Sequence, residues 1–272
     1  MATIDAAVAD FYNKSEEDSR LQLGLGPLEF ERNKNLIGRY LPKNKKLIIA
    51  DVGGGPGHYA KWLSAQGHEV ILIDPVEKHI RQAKQKVKSS KTTFEALLGE
   101  ARDLPIKDKS ADLVILHGPL YHLPHLDDRL KALTEAKRIL NPGGIVLGFA
   151  ITHSASTVAA LLAGMIYKPE IWQMCLNELN TGAHEPPAAM PGMLAQGFFH
   201  KPSVLLQEFH AAGFMPKKTF AVEGMAWLDG SFFVNWADQK KRERMLELIS
   251  LTESDPELLC FSPHIMVAAG VE

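Results

Sequence analysis

Leu47-Ile48-Ile49-Ala50-Asp51-Val52-Gly53-Gly54-Gly55-Pro56-Gly57 is the stretch on which the rest of the chain hangs. A short apolar run ends in an acidic residue, a turn with four glycines follows, and a helical pattern starts at about His58. A buried strand, a sharp turn and a helix N-terminus in that order mark the place where an α/β sheet accepts a nucleotide-like ligand. The glycines permit backbone angles and close approach that a Cβ would forbid.

The spacing narrows the ligand. A dinucleotide fingerprint keeps G-x-G-x-x-G with bare N–H groups facing a pyrophosphate, whereas here position 58, where its third glycine would stand, is His. Asp51 sits two residues before Gly53. A carboxylate there is awkward beside a pyrophosphate and well placed for an ammonium group. The pattern Asp51-x-Gly53-x-Gly55-x-Gly57 resembles the D/E-x-G-x-G-x-G motif of class I S-adenosylmethionine (AdoMet) methyltransferases. An NAD(P)-dependent oxidoreductase stays open as the alternative, disfavoured by Asp51 and His58, and a non-catalytic AdoMet-fold binding protein is a second.

Downstream residues carry the resemblance further. His68–Asp74 reads as an apolar strand ending in a carboxylate, suited to the two ribose hydroxyls and followed by Pro75. Asp74 supports nucleoside binding without choosing a cofactor, and it also suits a helix N-cap. Glu100-Ala101, followed by Asp103-Leu104-Pro105, resembles the methyltransferase pattern after strand three. That resemblance implies Glu100 accepting from the adenine amino group and the Ala101 N–H meeting a ring nitrogen. His117-Gly118-Pro119-Leu120-Tyr121-His122-Leu123 follows strand four and resembles small-molecule, UbiE-like methyltransferases. It implies His117 beside the cofactor, with Tyr121 and His122 facing the acceptor.

Strands alternating with helices predict a Rossmann-like α/β fold, a doubly wound and mostly parallel sheet whose last strand is antiparallel, with helical lid insertions. Residues 1–45 are expected to form a helical cap, with one helix over 5–16 and another after Gly26-Pro27. Leu21–Gly26 between them reads as a flexible joint. The Phe11-Tyr12 segment either covers one face of the sheet or, by resemblance, folds over the cofactor. The AdoMet-binding core spans 46–151. Its helix over 76–89 has a basic face (Lys78, Arg81, Lys84, Lys86, Lys88) that reads as solvated surface. Asp127-Asp128 opens a helix over 127–140, which a turn at Asn141-Pro142-Gly143-Gly144 closes before strand five at Ile145–Ile151. Residues 152–201, with helices over 155–167 and 169–180, are too apolar for disorder and read as a substrate lid or a dimer interface. Residues 202–272 complete the core, with a helix over 202–212, a strand over 216–223, a second excursion at 224–262 and a final strand at His264–Ala269.

The totals agree with an ordinary globular chain. At 272 residues and net charge −2, nothing suggests a nucleic-acid footprint. Two cysteines, Cys175 and Cys260, fit a reducing compartment. Met1–Asp5 has no basic region leading into an apolar core, and the apolar run Ala155–Tyr167 is too short to span a bilayer. The expectation is a cytoplasmic protein with a small-molecule acceptor, no nucleic-acid or membrane partner, and a monomeric or homodimeric state. In-line attack on the methyl of AdoMet, giving S-adenosylhomocysteine, requires positioning and a base for the acceptor's proton. His122, Tyr121 and His153 are the candidates for that base. The loop after strand four lacks the D/N-P-P-Y/F of amino-directed nucleic-acid enzymes. No third ligand joins His122 and His125 at metal-site spacing, so no metal is expected.

Overall fold

The structure is a computed structural model and describes residues 6–89, 92–188, 190 and 193–271. The Met1–Asp5 segment, and with it the first residue of the helix expected over 5–16, lies outside the described residues. In chain order the elements are α1 (Ala6–Lys14), α2 (Glu17–Arg20), α3 (Gly26–Gly38), β1 (Ile48–Val52), α4 (His58–Ala65), β2 (Glu69–Asp74), α5 (Glu77–Lys88), β3 (Glu95–Leu98) and β4 (Ala111–Leu116). There follow α6 (Pro119–His122), α7 (Leu126–Ile139), β5 (Leu140–Ile151), α8 (Ala155–Leu162), α9 (Pro169–Thr181), β6 (Ala183–His184), β7 (Gly197–Phe198) and α10 (Pro202–Ala211). The chain closes with β8 (Met215–Ala221), α11 (Phe232–Ala237), α12 (Gln239–Thr252) and β9 (His264–Gly270).

Seven strands form one sheet in the order β3-β2-β1-β4-β5-β9-β8. All neighbours are parallel except those of β9, which runs antiparallel to both β5 and β8. The apolar strands explain the burial. Ile49, Ala50 and Val52 on β1 and Leu113–Leu116 on β4 are essentially inaccessible, as strands covered on both faces must be. One face packs on Leu133, Ala136, Phe209 and Phe214, the other on Leu36, Ile37, Leu63 and Ile80. Each of these Leu, Ile and Phe side chains contributes roughly 1.5–3 kcal/mol of burial. The order reverses at β1, since β2 lies on one side and β4 on the other. The crevice beyond their carboxyl ends is the topological switch point where ligands bind in such sheets.

Three local expectations are corrected. Asn141–Gly144 is not a turn between helix and strand: α7 ends at Ile139, and β5 already pairs at Leu140 opposite Ala111. The register then jumps to Ile145 opposite Leu113, so Asn141–Gly144 is a bulge within the strand, with Gly143 at φ 74°. Asp112 fixes it, accepting from the Asn141 amide at 3.1 Å and the Ile48 N–H at 3.0 Å. The helix expected over 155–167 stops at Leu162, and Gly164 follows in the left-handed region. Leu21–Gly26 is a packed turn rather than a flexible joint: Leu21 is buried, and a Cβ on Gly26 would lie 2.3 Å from the Arg20 carbonyl oxygen.

The cap is fastened to the core by charge. Arg32 on α3 is buried, donates from Nε to the Val222 carbonyl at 2.9 Å and pairs with Glu253 at 2.6 Å. The basic face of α5 is more than solvated surface. Lys78 donates to the carbonyls of Asn13 (3.2 Å) and Ser15 (2.8 Å), and Lys86 pairs with Asp18. These ties hold α1 and α2 across the mouth of the switch-point crevice. Residues 152–201 carry their own small core of Ile166, Ile171, Met174 and Cys175, with Met165, Met190 and Met193 against it.

Candidate active site

The glycine turn lies where the quoted stretch puts it. Gly53 has φ 74°, and a Cβ there would sit 2.0 Å from the His117 carbonyl oxygen, so only glycine lets the β1 and β4 ends close on each other. Gly55 has φ 56° and faces open space, with nothing nearer to a built Cβ than Cγ of Glu17 at 4.0 Å. Together they leave a bare backbone ledge on a cavity of about 280 Å³.

The cavity runs as one space along the carboxyl ends of the strands. Gly53, Gly55, Asp74, Pro75, Glu100, Ala101 and His117 line it together with Tyr12, Tyr121 and His122. The structure therefore brings together nearly every residue singled out in the sequence. Two stand apart. Asp51 is fully buried behind the turn and is not a lining residue: its Oδ1 is 3.4 Å from Nδ1 of His117, and its Oδ2 has no partner among the described residues. His153 lies away from the cavity, beyond β5, with its backbone N–H on the His200 carbonyl at 3.0 Å. Burial pushes its imidazole below the ordinary range, and it cannot serve as the acceptor's base from there.

The carboxylates are organised by short contacts. Asp74 accepts from the Gly55 N–H (2.9 Å) through Oδ2, and from the Val76 N–H (2.9 Å) and the His79 ring (3.0 Å) through Oδ1. It thus joins the turn after β2 to the glycine turn, and its N-cap-like bond to Val76 and its place in the cavity coexist. Glu100 accepts from the backbone N–H and from Nε of Arg102, each at 3.0 Å, and Arg102 also meets Asp128 of α7 at 2.9 Å. Asp128 thereby does more than open a helix.

Aromatic rings make up much of the remaining lining. His117 is stacked between Tyr59 (centroids 4.4 Å apart) and Phe149 (4.3 Å). The Tyr12 hydroxyl is 2.6 Å from Nε2 of His122. Burial, helped by His184 and Arg20, pushes the His122 imidazole down to about 3. The ring is therefore neutral, and one hydrogen bond joins its Nε2 to the Tyr12 hydroxyl. Burial likewise raises the Tyr12 and Tyr121 hydroxyls above the ordinary phenol range.

Sequence reasoning missed a charged group that the cap adds. Arg20 lines the cavity and donates from Nε to Glu17 (2.6 Å), and from Nη1 and Nη2 to Glu29 (2.6 and 2.9 Å). Burial pushes Glu29 up, but the guanidinium outweighs it and holds the carboxyl well below the usual range. Glu29, Glu223 and His264 place ligand-type atoms within 4.8 Å of one another. Arg20 occupies both Glu29 oxygens, while Glu223 accepts from His264 Nδ1 (2.7 Å) and Ser262 (3.0 Å).

The residues present fit AdoMet. A bare glycine ledge, the carboxylates of Asp74 and Glu100 on the lining, and buried atoms of His79, His117 and His122 without a partner among the described residues describe a polar ligand space. Residues 50–148, about a third of the chain, match the family described as "Methyltransferase domain", and S-adenosylmethionine is the cofactor that this match and the structures sharing the fold imply. The chain is 34% identical over 127 residues to a demethylmenaquinone methyltransferase of Lactiplantibacillus plantarum, covering 44% of this chain and 51% of that one. It is 25% identical over 227 residues to a tRNA U34 carboxymethyltransferase of Desulfotalea psychrophila, covering 80% and 63%. The chain spans about half the length of the first curated relatives it matches. A crystal structure of a SAM-dependent methyltransferase from Methanosarcina mazei shares the fold at TM-score 0.61 and 16% identity, over 87% of this chain and 96% of that one.

Proposed function

We propose that the protein transfers a methyl group to O, N, C or S of a small-molecule acceptor by in-line displacement, without a metal. The size and cover of the cavity carry this reading: at about 280 Å³, overhung by α1 and α2 and bordered by Gln196 of the 152–201 segment, it suits a compact acceptor. Bound AdoMet supplies an electrophilic methyl on a sulfonium, so the protein's task is placement, for which positioning is worth several kcal/mol. In this reading Gly53 and Gly55 give the ledge for the methionine end, and Asp51 fixes the turn and His117 from behind. Asp74 and Pro75 meet the ribose, Glu100 and Ala101 the adenine. Tyr12 covers the ligand, while Tyr121 and His122 orient the acceptor.

A neutral His122 whose Nε2 is already hydrogen-bonded to the Tyr12 hydroxyl is a positioning group rather than a strong base. Metal independence is supported by the occupied oxygens of Glu29 and Glu223, which leave the best carboxylate–histidine cluster engaged with Arg20 and Ser262. We further propose the divisions 1–45, 46–151, 152–201 and 202–272 as cap, core, lid and completed core.

The tRNA-modifying relative favours one other acceptor class, a nucleic acid. One incubation decides. With methyl-labelled AdoMet and a cell extract, a small molecule gaining one CH2 supports the proposal. Label confined to an RNase-sensitive fraction would overturn it, and no transfer with cofactor bound would favour a non-catalytic binding protein.

A further inference from the structure

His122 is spent on Tyr12 and His153 stands away from the cavity, so neither supplies a base for the acceptor's proton. The last strand brings another histidine to the ligand edge of the sheet. His264 opens β9 and pairs with Ile151 at the carboxyl end of β5. Its ring is held from one side only. Nδ1 lies 2.7 Å from Oε1 of Glu223, whose Oε2 accepts from the His264 backbone N–H (3.1 Å) and the Ser262 hydroxyl (3.0 Å). Glu223 is buried, so this seat is fixed. A carboxylate only accepts, which makes Nδ1 the donor and leaves the lone pair of the neutral ring on Nε2. Nε2 makes no hydrogen bond among the described residues, and 24% of the side-chain surface stays accessible. Its neighbours belong to the cavity wall: the Tyr121 ring is 6.5 Å away between centroids, and a Glu29 oxygen lies within 4.8 Å of a ring nitrogen.

A base backed by a carboxylate on its far nitrogen is the arrangement proton abstraction calls for. We propose that His264, seated on Glu223 at the end of β5, is the catalytic base that takes the acceptor's proton through Nε2. The role rests on the methyltransferase reading. As the acceptor's electron pair forms the bond to the methyl carbon, the carbon–sulfur bond breaks with its pair left on sulfur, and the acceptor's proton passes to Nε2. The sulfonium becomes a neutral thioether and the imidazole an imidazolium, so the positive charge moves onto the ring, where Glu223 meets it. The proton then leaves to water before the next turnover. Glu223 after β8, Glu29 from α3, Arg20 from α2 and Tyr121 from α6 face the ring. Burial lowers its proton affinity and Arg20 lowers it further, while the two carboxylates outweigh both and hold it above the ordinary histidine value. The free base therefore accumulates as pH rises beyond about 6.5.

The test follows label from methyl-labelled AdoMet into the small molecules of a filtered cell extract between about pH 6 and 9, with S-adenosylhomocysteine affinity measured alongside by calorimetry. The wild-type rate should rise with pH through a single ionisation. His264→Asn keeps an amide donor for Glu223 and removes Nε2. It should slow transfer by about 100- to 10,000-fold and abolish the rise, with S-adenosylhomocysteine affinity unchanged. Glu223→Gln keeps the ring without the charge behind it, and should slow transfer and move the rise to lower pH. Transfer by His264→Asn at the wild-type rate overturns the role, and so does a slower transfer with the same rise intact. If His264→Asn also loses S-adenosylhomocysteine, Glu223→Gln decides: a rise moved to lower pH supports the base, and an unmoved one overturns it. A wild type that binds S-adenosylhomocysteine yet labels nothing removes the methyltransferase reading and this role with it, whereas a labelling wild type matched by His264→Asn removes the role alone.

Discussion

Removing the Tyr12 hydroxyl tests how the cap is coupled to the site. In Tyr12→Phe the ring survives, and with it the edge contacts to His79 (centroids 5.1 Å) and His122 (5.3 Å). What goes is the 2.6 Å hydrogen bond to Nε2 of His122. Nδ1 of His122 is already buried without a partner among the described residues, so the variant leaves the whole imidazole unpaired. An unpaired buried polar atom costs about 1–3 kcal/mol. Tyr12 belongs to α1, which lies on the core and is also tied through Lys78 to the Asn13 and Ser15 carbonyls. The cost therefore falls on docking the cap and not on the sheet. With a closed cap required to retain the ligand, S-adenosylhomocysteine affinity should drop by about 5- to 150-fold in calorimetry, with the urea midpoint nearly unchanged. An affinity equal to wild type would refute the coupling. So would an affinity loss matched by an equal loss of global stability, because Tyr12 would then be part of the folding core.

Other perturbations follow from the same geometry. Gly53→Ala puts a methyl 2.0 Å from the His117 carbonyl at φ 74°, so the β1 and β4 ends must part; we expect S-adenosylhomocysteine binding to vanish in calorimetry. Glu208→Ala strands Arg129, whose Nη2 is 2.7 Å from that carboxylate and whose Nη1 holds the Leu123 and Pro124 carbonyls beside the site. A buried charge left unpaired predicts a loss of about 3–5 kcal/mol in urea unfolding. Burial pushes Glu208 up, but His200 and Arg129 outweigh it and hold its carboxyl below the usual range. Its contribution is therefore present above the unfolded value of about 4.3 and is lost as pH falls through the depressed folded one, so Glu208→Gln should flatten the acid limb of the stability curve. His122 is depressed to about 3. The stability linked to its neutral form is full above the unfolded value of about 6.5 and is lost as pH falls toward the folded one. Its ring proton signals should stay constant by NMR between about pH 8 and 5, and a titration in that window would contradict the assignment.

Periodicity carried the sheet, and the glycine turn carried the cavity. Apolar runs ending in Asp51, Asp74 and Leu116 are each one strand long, and the residues just past their ends meet because parallel strands align their carboxyl ends. Tyr12 was legible only through resemblance, since nothing in the Ala6–Lys14 pattern says that its hydroxyl meets a histidine 110 positions away. Arg20, Glu17 and Glu29 were not legible. They sit on either side of a turn whose glycines and leucines look flexible, and whose packing depends on Gly26 pressing on the Arg20 backbone. The bulge at Asn141–Gly144 was misread for a related reason. Pro and Gly mark a break in both a turn and a bulge, and the Asp112 contacts that decide between them are long-range. His153 shows the reverse error: adjacency to a strand end in sequence does not place a side chain in the crevice.

The most direct test of the account is thermal unfolding with S-adenosylhomocysteine or NAD present. A ligand at about 100 times its Kd adds roughly 2.7 kcal/mol to the folded state, which for a chain of this size is a rise in Tm of about 5 °C or more. We expect that rise with S-adenosylhomocysteine and none with NAD. A rise with NAD alone would contradict the reading of the Asp51–Gly57 turn on which everything else rests.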